Sequence, residues 1–168
     1  MRSTRILIVE GIFALTPSVV DIFRRFGNLL QVVVQPILIV NLDELHYIPT
    51  QKLLVIRRIV RDSSHRGRDG RETLTMWENV IEGEDRNLFP VLPQSDVIFN
   101  AHCVYELGAL KASCEMILRH IDPSYRSEYK DASQILPLLR WVHGVPGGRI
   151  PKQSIIHEIL EDDKEREK

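Results

Sequence analysis

The chain has 168 residues, of which 43% are hydrophobic and 27% charged, so one domain with a proper core and an ordinary globular composition is expected. Its formal net charge of -1 argues against a general nucleic-acid or membrane-surface binder, and nucleic acid is not an expected partner. Two cysteines, at positions 103 and 114, suit neither a disulfide framework nor a zinc site, and no apolar run reaches membrane-spanning length, so we expect a reduced, cytoplasmic protein without a membrane partner.

The first predicted elements are a strand and a helix. Ile6 to Glu10 is a continuous apolar run that ends in an acid, a pattern typical of a strand buried on both faces of a parallel sheet. A helix is predicted next, with Thr16 as its N-cap and Pro17 at its first position. Gly27 is expected to end this helix.

A second strand and a long helix follow. Leu29 to Gln35 predicts a strand, and it should end at Pro36 because proline has no N–H for the ladder. The apolar residues Ile37 to Val40 fit either a further strand or a packed turn. Thr50 is expected to cap a helix over residues 51–65.

The second half of the chain is mainly helical. Helices are predicted at about 71–81, 105–121 and 133–142 and from residue 154, with a third strand at 95–100. One face of the second of these helices is apolar: Leu107, Leu110, Cys114, Ile117 and Ile121. Strands that alternate with helices predict an α/β fold with a mostly parallel sheet.

A basic segment, RRIVRDSSHRGRDGR, contains six arginines and one histidine within an almost neutral chain. Arg58 and Arg61 can share a helix surface, while Arg66 and Arg68 flank Gly67 beyond the helix end. Guanidinium forks match phosphate oxygens and keep their charge. The segment therefore predicts a lid that closes over a polyphosphate.

A second interpretation of the basic segment is structural. Charge runs are often solvated helix faces, and Asp62 and Glu72 are available as ion-pair partners. Composition alone leaves these two interpretations equally open.

Three stretches resemble a known family. ILIVEGIFAL, RRIVRDSSHRGRD and SDVIFNAHCVYELGAL resemble, in order, the second half of the uridine kinase and phosphoribulokinase family, closest to its bacterial-type uridine kinase-like branch. The resemblance runs from about Ile6 to His120. It implies the C-terminal part of a partial P-loop kinase-like (Rossmann-like) domain at 1–145, with an arginine-rich lid at about 51–82. Residues 146–168 would form a C-terminal extension with a short helix and a charged tail.

The resemblance implies roles for four arginines in transfer of the γ-phosphoryl group of ATP. Arg61 and Arg66 match lid residues that contact the ATP phosphates, and they are the candidate catalytic residues. Arg58 and Arg68 match residues near the phosphate acceptor, which is a nucleoside or a sugar. The acceptor itself stays open.

Two further roles concern the cofactors ATP and Mg²⁺. Glu10 matches an acid that helps to hold Mg²⁺, and a carboxylate at the end of a parallel strand faces the ligand crevice. Asn100 matches the region beside the adenine. The family also needs a G-x-x-x-x-G-K-[ST] loop for the phosphates, and none of the nine glycines begins one. We therefore expect weak ATP binding and no phosphoryl transfer by this chain alone.

Two other classes of function stay open. The chain could be a non-catalytic binding or assembly module that docks to a separate P-loop segment or forms a homo-oligomer through an exposed sheet edge. It could also bind RNA through the arginine lid. The scattered histidines predict no metal site, and we do not expect His102 and Cys103 to act as base and nucleophile.

Overall fold

The computed structural model describes residues 5–38, 41, 44 and 47–160. Within them the elements in chain order are α1 (Pro17–Arg24), β1 (Val32–Gln35), α2 (Thr50–Arg66), α3 (Gly70–Thr75), α4 (Trp77–Asn87), β2 (Val97–Asn100), α5 (Glu106–Arg119), α6 (Arg126–Arg140) and α7 (His157–Leu160). The chain divides into two units, one of Met1–Val34 with Ile81–Phe99 and one of Gln35–Val80 with Asn100–Lys168. Among the described helices, none combines the length and apolar character needed to cross a bilayer.

β1 and β2 form a two-stranded parallel sheet. The N–H of Val97 donates to the carbonyl of Gln31, and the N–H of Ala101 donates to the carbonyl of Gln35. Between these two bonds both strands advance by four residues in the same direction, as parallel strands do. The α/β class and the parallel direction are therefore confirmed. All four residues of β2 are exposed, although parallel sheets are usually covered on both faces.

The prediction of a buried strand at Ile6–Glu10 is wrong. These residues belong to no helix or strand, and the side chains of Ile6 and Ile8 are 85% and 87% exposed. Within the described residues, β1 and β2 pair only with each other. The apolar run thus lacks the neighbouring strand that would complete its hydrogen bonds and cover its side chains.

The next predictions in this region are confirmed in part, since α1 ends at Arg24 before reaching Gly27 and β1 begins at Val32 rather than at Leu29. α1 begins at Pro17 after an extended Thr16, although the Thr16 hydroxyl donates to the carbonyl of Phe13 at 2.9 Å instead of capping the helix. β1 ends at Gln35, directly before Pro36. The prediction for Ile37–Val40 falls partly on residues 39 and 40, which lie outside the described residues.

α2 is the central helix of the second unit and packs against α3, α5 and α7. Leu53, Ile56 and Ile59 on α2 have no exposed surface. Thr50, predicted as the cap, is instead the first helical residue, and its hydroxyl hydrogen-bonds the backbone of Leu38. A helix buried to this extent can move only together with the elements packed on it.

After α2, the structure has two helices where the sequence predicts one. The helix expected at 71–81 is interrupted at Met76, which separates α3 from α4. α3 begins with a capping box: the N–H of Glu72 donates to the Asp69 carboxylate at 2.7 Å, and the Glu72 carboxylate accepts from the Asp69 N–H. This box fixes the direction in which the chain leaves the turn after α2.

α5 carries the predicted apolar face into the core. Leu107, Leu110, Cys114 and Ile121 are buried, and Ile117 packs beside them. α6 begins at Arg126 rather than near residue 133 and includes a proline near its end. The predicted C-terminal extension contributes to the same core through Ile150, Ile156 and Ile159, and the tail from residue 161 lies outside the described residues.

The segment between α6 and the 3₁₀ turn at Gly147–Arg149 is tied to α5. The N–H of Val145 donates to the carbonyl of Gly108 at 2.9 Å, and the Lys111 ammonium donates to the carbonyl of Val142 at 2.8 Å. A Cβ at position 108 would lie 2.5 Å from the carbonyl oxygen of His143, so this approach requires glycine.

The two cysteines should differ in reactivity. Burial raises the pKa of Cys114 to about 12, whereas Cys103 is only partly buried. Because the folded-state pKa lies above the unfolded value of about 8.5, the protonated thiol contributes stability that is complete below that pH and is lost as the pH rises towards 12. At pH 8, iodoacetamide should alkylate Cys103 and spare Cys114 until urea unfolds the chain, as read by peptide mass spectrometry. Equal labelling rates in the native protein would contradict this packing of α5.

The exposed apolar residues of the first unit should make the protein self-associate. Ile8 is 87% exposed within an apolar run, whereas Val104, in the second unit, is 89% exposed between partly buried neighbours. We expect association at micromolar concentration in sedimentation velocity, and expect Ile8→Lys to reduce it. Val104→Lys adds the same charge at an equally exposed site and should leave association unchanged. A stable, cooperatively unfolding monomer would contradict the prediction.

Candidate functional site

Four arginines surround one fully buried carboxylate at the end of α2. Asp62 lies 3.0 Å from Arg66, 3.5 Å from Arg58, 3.7 Å from Arg68 and 3.9 Å from Arg61, measured between the closest nitrogen and carboxylate oxygen. Its side chain has no exposed surface. We call these four arginines the arginine cluster. The structure thus brings together all four arginines that the sequence singled out.

Local geometry explains why they meet. Arg58 and Arg66 lie one helical turn before and after Asp62, so all three share a face of α2. Gly67 then takes a left-handed conformation with φ of 61°, and the N–H of Arg68 donates back to the Asp62 carbonyl at 3.1 Å. The helix end therefore turns Arg68 back towards the carboxylate.

The arginine cluster carries more positive charge than its carboxylate can neutralise. Four guanidiniums and one carboxylate leave a surplus of three positive charges. The pKa of Arg61 is lowered, chiefly by partial burial and then by the nearby charge of Arg66, against the opposing effect of Asp62. An added anion would therefore meet a local excess of positive charge.

Hydrogen bonding within the arginine cluster is incomplete. Only the contact from Arg66 to Asp62 is a hydrogen bond. Among the described residues, the buried Nε of Arg58 and Oδ2 of Asp62 have no hydrogen-bond partner, so their 3.5 Å contact is an ion pair without hydrogen-bond geometry. Arg61 lies beyond hydrogen-bond distance of the carboxylate, and its side chain is 46% exposed. Asp62 therefore competes only weakly for the Arg61 donors.

The alternative interpretation of the basic segment is correct in one respect. Asp62 is an ion-pair partner, as that interpretation requires, but it is buried rather than solvated. Glu72 has its main contacts in the capping box of α3 and lies 3.9 Å from Arg71. Arg71 also stacks over the ring of Tyr125, with 4.8 Å between the guanidinium carbon and the ring centroid, and makes no contact with Asp62 within ion-pair distance. The arginine cluster is thus distinct from the surface charges that follow it.

A second buried carboxylate binds the remaining arginine of α2. Glu106 forms a hydrogen-bonded ion pair with Arg57 and lies 3.2 Å from Nδ1 of His102. The His102 ring thus contacts Glu106 through this nitrogen, and its Nε2 has no hydrogen-bond partner among the described residues. Sequence reasoning missed Glu106. The signal available was an acid in the first turn of a strongly amphipathic helix, but that position is also common for acids that only oppose the helix dipole.

Two predicted ligand residues lie elsewhere. Glu10 is exposed in the first unit, and its prediction as the Mg²⁺ acid stays a prediction. The Asn100 side chain accepts from the N–H groups of Ile37 and His102 and donates to the Ile37 carbonyl, so its amide holds two backbone segments together. No group of three or more His, Cys, Asp or Glu side chains that could hold a metal ion is found in the described part of the chain.

Comparisons with known protein families, with curated proteins and with solved structures find no match to this chain. The kinase resemblance therefore depends on the sequence motifs quoted above.

Neutralising Asp62 should destabilise the protein. Asp62→Asn keeps the side-chain shape but leaves four guanidiniums without their counter-ion, and we expect a loss of about 2–3 kcal/mol in the free energy of unfolding in urea. Glu82→Gln is the matched control, because Glu82 also pairs with an arginine four residues away, at 2.8 Å, but in solvent. That change should cost under about 1 kcal/mol. Equal losses would mean that Asp62 does not organise the arginine cluster.

Proposed function

We propose that this chain is the phosphate-binding C-terminal portion of an ATP-dependent kinase of the uridine kinase-like class. The kinase would transfer the γ-phosphoryl group of ATP to a hydroxyl of a nucleoside or sugar. One observation carries the proposal: four guanidiniums converge on a single buried carboxylate and keep a surplus of three positive charges. The finer fold assignment, a partial P-loop kinase-like domain, belongs to the same proposal.

The chemistry of the arginine cluster favours a phosphate ligand. Phosphate oxygens accept from guanidinium forks in pairs, and a polyphosphate carries enough charge to neutralise the surplus. Arg61 is the best placed to bind first, since it is the most weakly held by Asp62 and nearly half exposed. Arg66 would follow from its partly exposed position across the carboxylate. This order agrees with the roles in ATP binding that the resemblance implies for both residues.

Arg58 and Arg68 fit the acceptor side of the proposed reaction. Both contact Oδ2 of Asp62, whereas Arg61 and Arg66 contact Oδ1. One carboxylate thus separates the arginine cluster into two pairs. A donor phosphate on one pair and an acceptor on the other would experience positive charge where a transferring phosphoryl group needs it.

Glu10 would hold the Mg²⁺ that accompanies ATP. Mg²⁺ commonly takes only one or two protein carboxylates, with phosphate oxygens and water as its other ligands, so one acid suits its coordination. Bound Mg²⁺ would neutralise charge on the transferring phosphates. Asn100 and the turn after it would lie beside the adenine, where the amide preserves the backbone arrangement instead of contacting the base directly.

A second candidate function is an assembly module, and the exposed apolar run at Ile6–Val9 favours it. In this role the chain would bind another chain through the apolar run, and the arginine cluster would need no ligand. The two candidates differ in one measurable property: only the kinase portion requires the arginine cluster to bind phosphates.

Removing Arg61 should weaken phosphate binding. We expect Arg61→Ala to reduce the affinity for tripolyphosphate at least about tenfold, because a charge-assisted hydrogen bond contributes about 1.5–3 kcal/mol. Arg61→Lys should recover only part of the affinity, since an ammonium lacks the planar fork. Isothermal titration calorimetry at low salt measures both effects, and urea unfolding checks that stability changes little.

Arg71→Ala is the matched control for this experiment. It removes the same charge ten residues further along the chain, from a side chain that stacks on Tyr125 outside the arginine cluster. Equal losses for Arg61→Ala and Arg71→Ala would mean a generic basic surface and would overturn the phosphate site. Salt-sensitive binding of tRNA in the absence of tripolyphosphate binding would favour RNA recognition instead.

A further inference from the structure

Glu106 lies where three parts of the second unit meet. One carboxylate oxygen, Oε1, pairs with Arg57 of α2 across the helix interface. The other, Oε2, lies 3.2 Å from Nδ1 of His102 and 3.4 Å from the N–H of Cys103, in the turn that leads into α5. The side chain has no exposed surface. A buried carboxylate with both oxygens engaged has little freedom to move.

This fixed carboxylate constrains the orientation of α2. The apolar contacts of α2 with α5 set the distance between the helices, but they depend weakly on direction. A charge-assisted hydrogen bond depends strongly on direction. Since Arg57 lies one turn before Arg61 on the same helix, fixing Arg57 limits rotation of α2 about its axis and so limits where the arginine cluster points.

Glu106 also has an effect on charge, which is separate from this geometric effect. Arg57 is a fifth arginine, in the middle of α2, and Glu106 is the only carboxylate within ion-pair distance of it among the described residues. Without that carboxylate, the guanidinium of Arg57 would add a further positive charge one helical turn from Arg61. Glu106 therefore keeps the surplus charge confined to the four residues around Asp62.

We propose that Glu106 is a positioning residue for the arginine cluster: it holds Arg57 and thereby sets the direction in which Arg58, Arg61, Arg66 and Arg68 present their guanidiniums. The expected effect on phosphate binding rests on the proposed function. The positioning of the arginines by Glu106 is a property of the ligand-free protein and can be tested without a ligand. Glu106 touches no ligand in this role and acts through Arg57.

Glu106→Gln tests the proposal with two independent measurements on the full chain. The amide keeps the size of the side chain and removes its charge. We expect a several-fold loss of tripolyphosphate affinity by calorimetry. The released charge of Arg57 alone would raise the affinity, so a loss identifies the effect of misplaced guanidiniums, and a gain would overturn the proposal. We also expect the Nε–H signals of the four cluster arginines to shift in ¹H–¹⁵N spectra of the ligand-free protein, with cooperative urea unfolding retained. Glu115→Gln is the control, because Glu115 lies on the same helix, α5, but pairs with Lys111 at 3.9 Å instead of with an arginine of α2, so neither measurement should change.

Arg57→Gln provides the second variant. Its side chain is partly exposed, so the substitution is tolerated more easily than one at the fully buried Glu106. If Glu106 acts through Arg57, the double variant Arg57→Gln with Glu106→Gln should lose no more affinity than the worse single variant. Additive losses would overturn the proposal, as would unchanged arginine signals in folded single variants.

The remaining outcomes are also decisive. If Glu106→Gln fails to fold, the arginine signals of Arg57→Gln decide the question alone. If both variants lose cooperative unfolding, the pair is purely structural and the positioning role is overturned. If the unaltered protein binds no tripolyphosphate, the proposed function fails, while the arginine signals still test the positioning role by themselves.

Discussion

The arginine cluster depends on one interaction, its contacts with the buried carboxylate of Asp62. Four guanidiniums lie within 3.9 Å of this carboxylate, and they would repel one another if its negative charge were removed. The left-handed turn at Gly67 and the capping box after it bring the chain back so that Arg68 can share this counter-ion. Local backbone chemistry and electrostatics thus favour the same arrangement, which is a mark of a well-specified segment. The residual positive charge is a consequence of that arrangement and the basis of the proposed phosphate site.

Two acids divide the arginines of α2 between them. Asp62 on α2 itself gathers three of them together with Arg68, which follows the helix, and Glu106 on α5 holds Arg57 alone. The first pairing lies within one helix and its following turn, so it concentrates charge. The second joins two helices, so it orients one relative to the other. Both act on a helix whose apolar face is already fully buried in the core, and the arginines therefore project from a firmly packed element.

Much of the fold could be predicted from local signals. The alternation of strands and helices, the start of α1 at Pro17, the end of β1 before Pro36 and the buried face of α5 depend on proline chemistry and on periodicity within one element. The strand at Ile6–Glu10 could not be predicted reliably, since an apolar run becomes a strand only where a neighbour pairs with it. The arginines were identified by type and spacing, but the role of Glu106 was not, because its pairing with Arg57 spans 49 residues.

The contact between Gly108 and the segment after α6 has a consequence for proteolysis. The sequence HGVPGG has the small, flexible residues typical of a linker that proteases cut first. Here its backbone is hydrogen-bonded to α5 through Val145, and Lys111 binds the carbonyl just before it. A protease must lift several residues out of such contacts before it can bind them in an extended form. Its composition alone would predict early cleavage of this segment, whereas its hydrogen bonds to α5 protect it from proteases.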